Sequence, residues 1–316
     1  LPVSRFYVQF LQQTNFPDYQ SAVGTMRGVQ LAGISNISGN NTVGLSAAGL
    51  VNITGDRTQG VIISGLTSIG GDNTSGLMIS GFMNVTGNMA SGLHFSGAAN
   101  ITGQSFGGLM ASGLLNVVGE HMNGLQMAGI ANITASKLNG VQIALCNYAT
   151  QARGLQIGLV NYYKENMKGF QLGLVNANPD TRVQMMVYGG NATPANIGVR
   201  FKNQLFYTIL GIGSMYQGLN DKFSASASYR AGLSFTLYKG LSISGDLGYQ
   251  HIEAFDNKDE VIPKRLYALQ ASANLEYQFT RKFGIFATGG YGLTRFYNKS
   301  SNYDKGAIIE AGIVLF

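Results

Sequence analysis

The sequence predicts an all-β protein, an N-terminal short-coil β-solenoid followed by an eight-stranded antiparallel transmembrane β-barrel. Glycine recurs every sixteen residues through the first half of the chain, and long strands of strict apolar/polar alternation fill the second. No run approaches the roughly 18 consecutive apolar residues of a membrane helix. Of 316 residues only 11% are charged, 44 are Gly and none is Trp. Low charge suits strands whose apolar face is diluted by a polar one. The expected organisation is a cap over residues 1–27, a repeat array over 28–181 and a barrel over 182–316.

The period carries the array. Gly28, Gly44, Gly60, Gly76, Gly92, Gly108, Gly124 and Gly140 fall sixteen residues apart, and Gly154 and Gly169 follow at fourteen and fifteen. The unit Gly124-Leu125-Gln126-Met127-Ala128-Gly129-Ile130-Ala131-Asn132-Ile133-Thr134 shows two short apolar runs split by Gly. Three glycines per unit weaken any helix, and no helical spacing is present. A coil of two short strands and tight turns fits, with Gly taking positive-φ corners. Identical coils stack, each burying what its neighbour leaves open. Ten coils at about 4.8 Å make a rod about 45 Å long. Its interior is expected to hold columns such as Leu45, Val61, Leu77, Leu93 and Leu109.

Asn36, Asn52, Asn84, Asn100, Asn116 and Asn132 share one repeat position, with Ser68 in place of Asn in the third unit. Asn147, Asn161 and Asn176 resume the column one residue earlier. A stacked Asn column is structural, serving turn amides from coil to coil. A rival arrangement makes each unit one antiparallel strand of a larger, pore-forming barrel. Aromatic content speaks against it. Seven Phe or Tyr lie in residues 28–176 against twenty-one in 177–316, and membrane strands need aromatic girdles.

Gly154-Leu155-Gln156-Ile157-Gly158-Leu159-Val160-Asn161 and Gly169-Phe170-Gln171-Leu172-Gly173-Leu174-Val175-Asn176 resemble the surface-repeat proteins of Bacteroidetes and spirochaetes. Units in that family read Gly-Leu-Gln-Ile/Leu-Gly-Leu-Val-Asn. Earlier units depart by one extra residue before the second apolar pair. The resemblance covers about half the chain, implies a place in the cell envelope and brings no functional residues with it.

After residue 181 the period becomes two. Phe223, Ala225, Ala227, Tyr229, Ala231, Leu233, Phe235 and Leu237 alternate with Ser224, Ser226, Ser228, Arg230, Gly232, Ser234 and Thr236. Eight strands are expected near residues 183–190, 196–202, 204–215, 222–237, 240–254, 265–279, 282–296 and 305–316. Their connections alternate between tight and long, as turns and loops of outer-membrane barrels do. Phe316 resembles the C-terminal signal read by the barrel-assembly machinery, while Glu310 is expected to interrupt one face of the last strand. Eight strands leave an interior filled by side chains. Arg230, Asp246, Glu276 and Glu310 are expected to pair there.

Chemistry-bearing motifs are missing. His94, His121 and His251 show no ligand spacing and are expected to be solvated, His94 at a variable repeat position and His121 in a turn. No nucleophile–base set or phosphate loop appears. Asp56, Asp72 and Asn73 do not form a calcium nonapeptide. No catalytic, cofactor or metal residue is assigned, no cofactor is expected, and neither nucleic acid nor a small-molecule substrate is an expected partner. Expected partners are outer-membrane lipid and other envelope proteins. The resulting expectation is a non-enzymatic, barrel-anchored scaffold of the outer membrane, a complex subunit or an adhesin. Strand count puts the repeats in the periplasm, whereas the family resemblance implies the surface. Two other readings are a pore built from the repeats, and ice or glycan binding on a face bearing Thr54, Thr86, Thr102 and Thr134.

Overall fold

The computed structural model describes residues 19–22, 24–203, 205–214, 216, 223–255, 265–297 and 302–316. It forms two compact units, Leu1–Gly173 and Leu174–Phe316. The first is a β-solenoid and the second a closed antiparallel barrel.

Each coil of the solenoid has a long arm and a short arm. Met89–Ser96 and Ser105–Ser112 are successive long arms, and Ala99–Thr102 and Leu115–Val118 are the short arms that follow them. Arms pair in parallel at a sixteen-residue register, Leu93 with Leu109 and Asn100 with Asn116. Parallel pairing sets aside the rival arrangement, since consecutive strands of a hairpin barrel run antiparallel. From residue 131 a short arm and the next long arm merge into one strand, as in Ala131–Ile143 and Cys146–Ile157. Tyr19–Ala22 pairs with Ser35–Ser38 and extends the stack at its start. The rest of the expected cap, including Phe6-Tyr7-Val8-Gln9-Phe10, lies outside the described residues.

The three glycines of a coil do different work. Gly28, Gly44 and their successors to Gly169 have φ between 105° and 148°, a region closed to residues with Cβ. The other two rows are not left-handed. They allow close approach instead: a Cβ on Gly97 would lie 1.9 Å from the Gly81 carbonyl oxygen, and one on Gly103 equally close to that of Gly87.

The positive-φ corner also resets which side chains point inward. Buried positions recur four residues apart across each corner and two apart along each side, as in Thr42, Ser46, Ala48, Asn52, Thr54 and Thr58. The expected interior column is therefore displaced by one. Leu93 is 45% exposed, while its neighbours Ile62, Met78, His94, Met110 and Gln126 form the inward column. An apolar core occupies only the middle coils, around Phe106, Met110, Met122 and Leu138. Towards the start, hydroxyls pair across the interior, Thr42 with Thr54 at 2.8 Å.

The barrel strands are β1 (Arg182–Gly190), β2 (Ala195–Asn203), β3 (Phe206–Ser214), β4 (Ser224–Tyr238), β5 (Leu241–Ala254), β6 (Arg265–Thr280), β7 (Phe283–Phe296) and β8 (Asn302–Leu315). Each pairs antiparallel with the next, and β8 closes on β1 through Val187 and Ile313. Polar residues face inward, among them Ser226, Ser234, Ser244, Ser272 and Thr288. Glu310 lies on the inward side of β8 in a row with the buried Ile308 and Val314, while Ile309 and Ala311 face outward.

Outward residues are apolar and end in aromatics. At the short-connection end stand Phe235, Tyr238, Tyr277, Phe279 and Phe283; at the other, Phe223, Tyr249, Phe255, Tyr267 and Tyr297. On β6 the belts are marked by Tyr267 and Tyr277. At about 3.3 Å per residue and a strand tilt near 40°, that separation is about 25 Å along the barrel axis.

Two adjacent glycines test the stacking. Gly108 has φ +126° and an added Cβ would meet the Gly92 carbonyl oxygen at 2.2 Å, whereas a Cβ on Gly107 meets nothing within 4 Å. Gly108→Ala is expected to destabilise the array by about 2 kcal/mol or more, and Gly107→Ala to leave it unchanged. Amide hydrogen exchange of the array in the detergent-solubilised chain reads the difference.

Candidate functional site

The densest polar chemistry lies inside the barrel. Arg230 on β4 donates through Nε to Asp246 Oδ1 at 2.8 Å and through Nη1 to Glu310 Oε2 at 2.8 Å. Its Nη2 donates to Asp246 Oδ2 and Asn274 Oδ1, both at 3.2 Å. Tyr207 Oη and Asn274 Nδ2 complete the shell of Asp246, at 2.6 and 2.8 Å. Arg230, Asp246 and Glu310 are all buried, so these contacts replace water rather than compete with it.

Glu276 does not join that cluster. It takes a bidentate pair from Arg200 on β2, Nη1 to Oε2 at 2.6 Å and Nη2 to Oε1 at 3.0 Å. Arg200 also donates through Nε to Gln184 Oε1 at 2.9 Å. Sequence reasoning missed Arg200, although its signal was present. It lies on the inward face of β2 with Asn196 and Gly198, alternating with the outward Ile197 and Val199. A buried charge stripped of its partner costs roughly 3–5 kcal/mol, so each pair is retained or lost as one unit.

In the array the Asn column is buried throughout, Asn36, Asn52, Asn84, Asn100, Asn116, Asn132, Asn147 and Asn161 in the first unit and Asn176 in the second. Asn100 Nδ2 donates to Asn116 Oδ1 at 3.0 Å and to the Ala111 carbonyl at 2.8 Å, and Asn116 repeats this with Asn132 and Met127. The side chains thus bridge to carbonyls on the next long arm, where turn amides were expected. Ser68 fills its place through hydroxyl bonds with Ser64 and Ser80, at 2.7 and 2.9 Å. A second column was overlooked. Gln142, Gln156 and Gln171 each donate Nε2 to the Oε1 of the preceding Gln at 2.8 Å, starting from Gln126. Their spacings of sixteen, fourteen and fifteen follow the Gly series and were readable from it.

The remaining candidates separate. Among the described residues no group of three or more His, Cys, Asp or Glu is placed to hold a metal. The Asp72 carboxylate accepts from Asn73 and Asn88, both at 2.9 Å. Thr54, Thr86, Thr102 and Thr134 are buried, which removes the flat Thr face from the surface. His121 opens a long arm, His121–Ala128, where a turn was expected. The Phe316 ring is exposed, and its N–H donates to the Lys282 carbonyl at 2.8 Å.

His94 is the sharpest departure from expectation, buried where solvation was expected. Its ring packs edge-on against Phe106, and Nε2 has no hydrogen-bond partner among the described residues. Sequence placed it beside the corner, and the phase reset turns it inward. Burial pulls its imidazole from 6.5 down to about 4.

No protein-family model matches this chain, and no curated protein matches it. Among solved structures it is similar to one titled "Crystal structure of the N-terminal beta-barrel domain of Pseudomonas aeruginosa OprF". The identity is 16%, over 42% of this chain and 93% of that one, with a TM-score of 0.28.

Asn116→Ala strands the Met127 carbonyl and the Asn132 oxygen, and is expected to destabilise the array by about 2 kcal/mol. Asn116→Ser, copying Ser68, is expected to lose less; chemical denaturation followed by array hydrogen exchange separates them. His94 makes stability depend on pH. Between about pH 6.5 and 4 the unfolded chain binds a proton that the folded chain excludes. Array stability is therefore full above that window, falls by up to about 3 kcal/mol as pH drops through it, and levels off below. His94→Met, matching Met78 and Met110, is expected to abolish that dependence.

Proposed function

We propose that this chain is a non-catalytic outer-membrane protein in which the barrel is an anchor and the array a scaffold for other envelope proteins. One observation carries the reading. The barrel is apolar outside between two aromatic belts about 25 Å apart, the height of an outer-membrane apolar band, and is packed with paired charges inside. A wall of that kind matches lipid, and a lumen crossed by buried ion pairs supports an anchor over an open pore. A catalytic role has no support in the lumen, where each carboxylate is engaged by an arginine and no nucleophile–base pair is formed among the described residues.

The short connections mark the periplasmic side. β1 begins and β8 ends at that side, where Arg182 stands opposite Lys202 and the Phe316 N–H bonds to Lys282. Residues 174–178 meet the barrel there too. Asn203 Nδ2 donates to the Asn176 carbonyl at 2.6 Å, and Thr208 Oγ1 to that of Leu174 at 3.2 Å. This favours a periplasmic array over the surface placement that the family resemblance implies. Protease treatment of intact cells tests it: the array is expected to survive until the outer membrane is permeabilised.

A scaffold and a pore differ in conductance. The purified full chain in planar lipid bilayers is expected to give no steady ion current. A stable porin-sized conductance would overturn the anchor reading.

A further inference from the structure

The array is apolar on its outside. Its interior mixes columns of Asn, Gln, Ser and Thr with an apolar core in the middle coils, while its outer columns are Leu, Ile, Val, Met and Phe. Charge is segregated just as sharply. Residues 29–38, 45–54, 61–70, 77–86, 93–102, 109–118, 125–134, 141–149 and 155–163 contain no Asp, Glu, Lys or Arg. These spans run from the positive-φ corner through the second corner to the end of the short arm, two of the three sides of each coil. Asp56, Asp72, Glu120, Lys137, Arg153 and Lys168 all fall on the third side.

From this we propose that the two uncharged sides of the array are seated in the hydrocarbon of the membrane, with the charged side left to water and to protein partners. The proposal rests on the membrane reading of the barrel. Three features select lipid as the occupant. A soluble solenoid keeps its apolar columns inside and does not line its outer sides with them. The second feature is size. One outer column runs Leu66, Phe82, Leu114 and Ile130, with the small, buried Ala98 between Phe82 and Leu114, so it is apolar throughout but uneven in size. A fluid fills against any such profile, whereas a protein surface must match it atom by atom.

The third feature is the backbone at the uncharged corners. Lipid demands that every peptide group be satisfied internally. Leu66 N–H bonds to the Leu50 carbonyl at 2.9 Å and Leu114 N–H to that of Ala98 at 3.0 Å, each bond reaching the coil below. Corners that look like loops are thus closed ladders, and along these sides the stack presents no free amide edge. Each side, four residues of strand at about 3.3 Å, is about 13 Å wide, close to half of a hydrocarbon core about 30 Å thick. A coil of that size fits in one leaflet.

The chain has no Trp, so a single introduced one reports alone. Leu66→Trp, Leu114→Trp and Gln104→Trp in the full chain place it on an uncharged side, the same side farther along, and the charged side. Leu247→Trp places it on the outward face of β5, where Leu247 is exposed. Each variant is reconstituted into vesicles of ordinary or acyl-brominated phospholipid, and emission is also titrated with aqueous iodide. Trp at 66 and 114 is expected to lose emission in brominated lipid as strongly as Trp at 247 and to resist iodide, while Trp at 104 does the opposite. Full emission at 66 and 114 in brominated lipid, with loss at 247, overturns the proposal and leaves the barrel reading intact. Under that result, iodide access means a water-facing side and iodide protection a protein partner or second copy. No loss at 247 removes the barrel reading and the proposal together.

Discussion

Every coil of the array rests on the backbone of the coil before it, and glycine sets how closely. At each corner where glycine stacks on glycine, a side chain would occupy the place of a carbonyl oxygen one coil away, as the 1.9 Å approach at Gly97 shows. From that contact the rest follows. Close corners keep the arms in register, register aligns identical positions, and aligned Asn and Gln side chains become continuous hydrogen-bonded columns. The columns in turn let a thin interior be polar without stranding donors. An apolar core is needed only in the middle coils, where Phe106, Met110 and Met122 supply it.

Array and barrel answer the same constraint by different geometry. Both turn polar side chains inward and apolar ones outward, and both pair their backbones in sheet ladders along their walls. In the barrel the inward charges are matched, Arg230 by Asp246 and Glu310, and Arg200 by Glu276. In the array they are absent, replaced by amides and hydroxyls that bond to copies of themselves. A neutral ladder suits a repeat, because stacking like charges sixteen residues apart would place them about 5 Å from one another.

The architecture was legible because it is periodic. The sixteen-residue spacing of Gly28 to Gly140 announced the coil, and the alternation around Arg230 and Asp246 announced the barrel wall. What could not be read was phase. Leu93 and His94 are neighbours, and only the φ of Gly92 decides which of them faces inward. Assigning the Leu column to the interior, and His94 to solvent, followed from carrying strand alternation through a residue that breaks it. Glu276 was recognised as lumenal but its partner was not, although Arg200 sits on the inward face of β2, whose residues alternate from Ala195 to Arg200. The neighbour that β2 gives to β6 across the lumen depends on barrel closure, which no local pattern encodes.

The central claim is that successive units stack in parallel, sixteen residues in register. Paired cysteines in a Cys146→Ser background test it most directly. Leu93→Cys with Leu109→Cys occupies facing positions on adjacent coils, and Leu93→Cys with Leu125→Cys skips one. Mild oxidation of the full chain is expected to form the first disulfide readily and the second not at all. Failure of the first pair to link, or equal linking of both, would contradict the stacked coil.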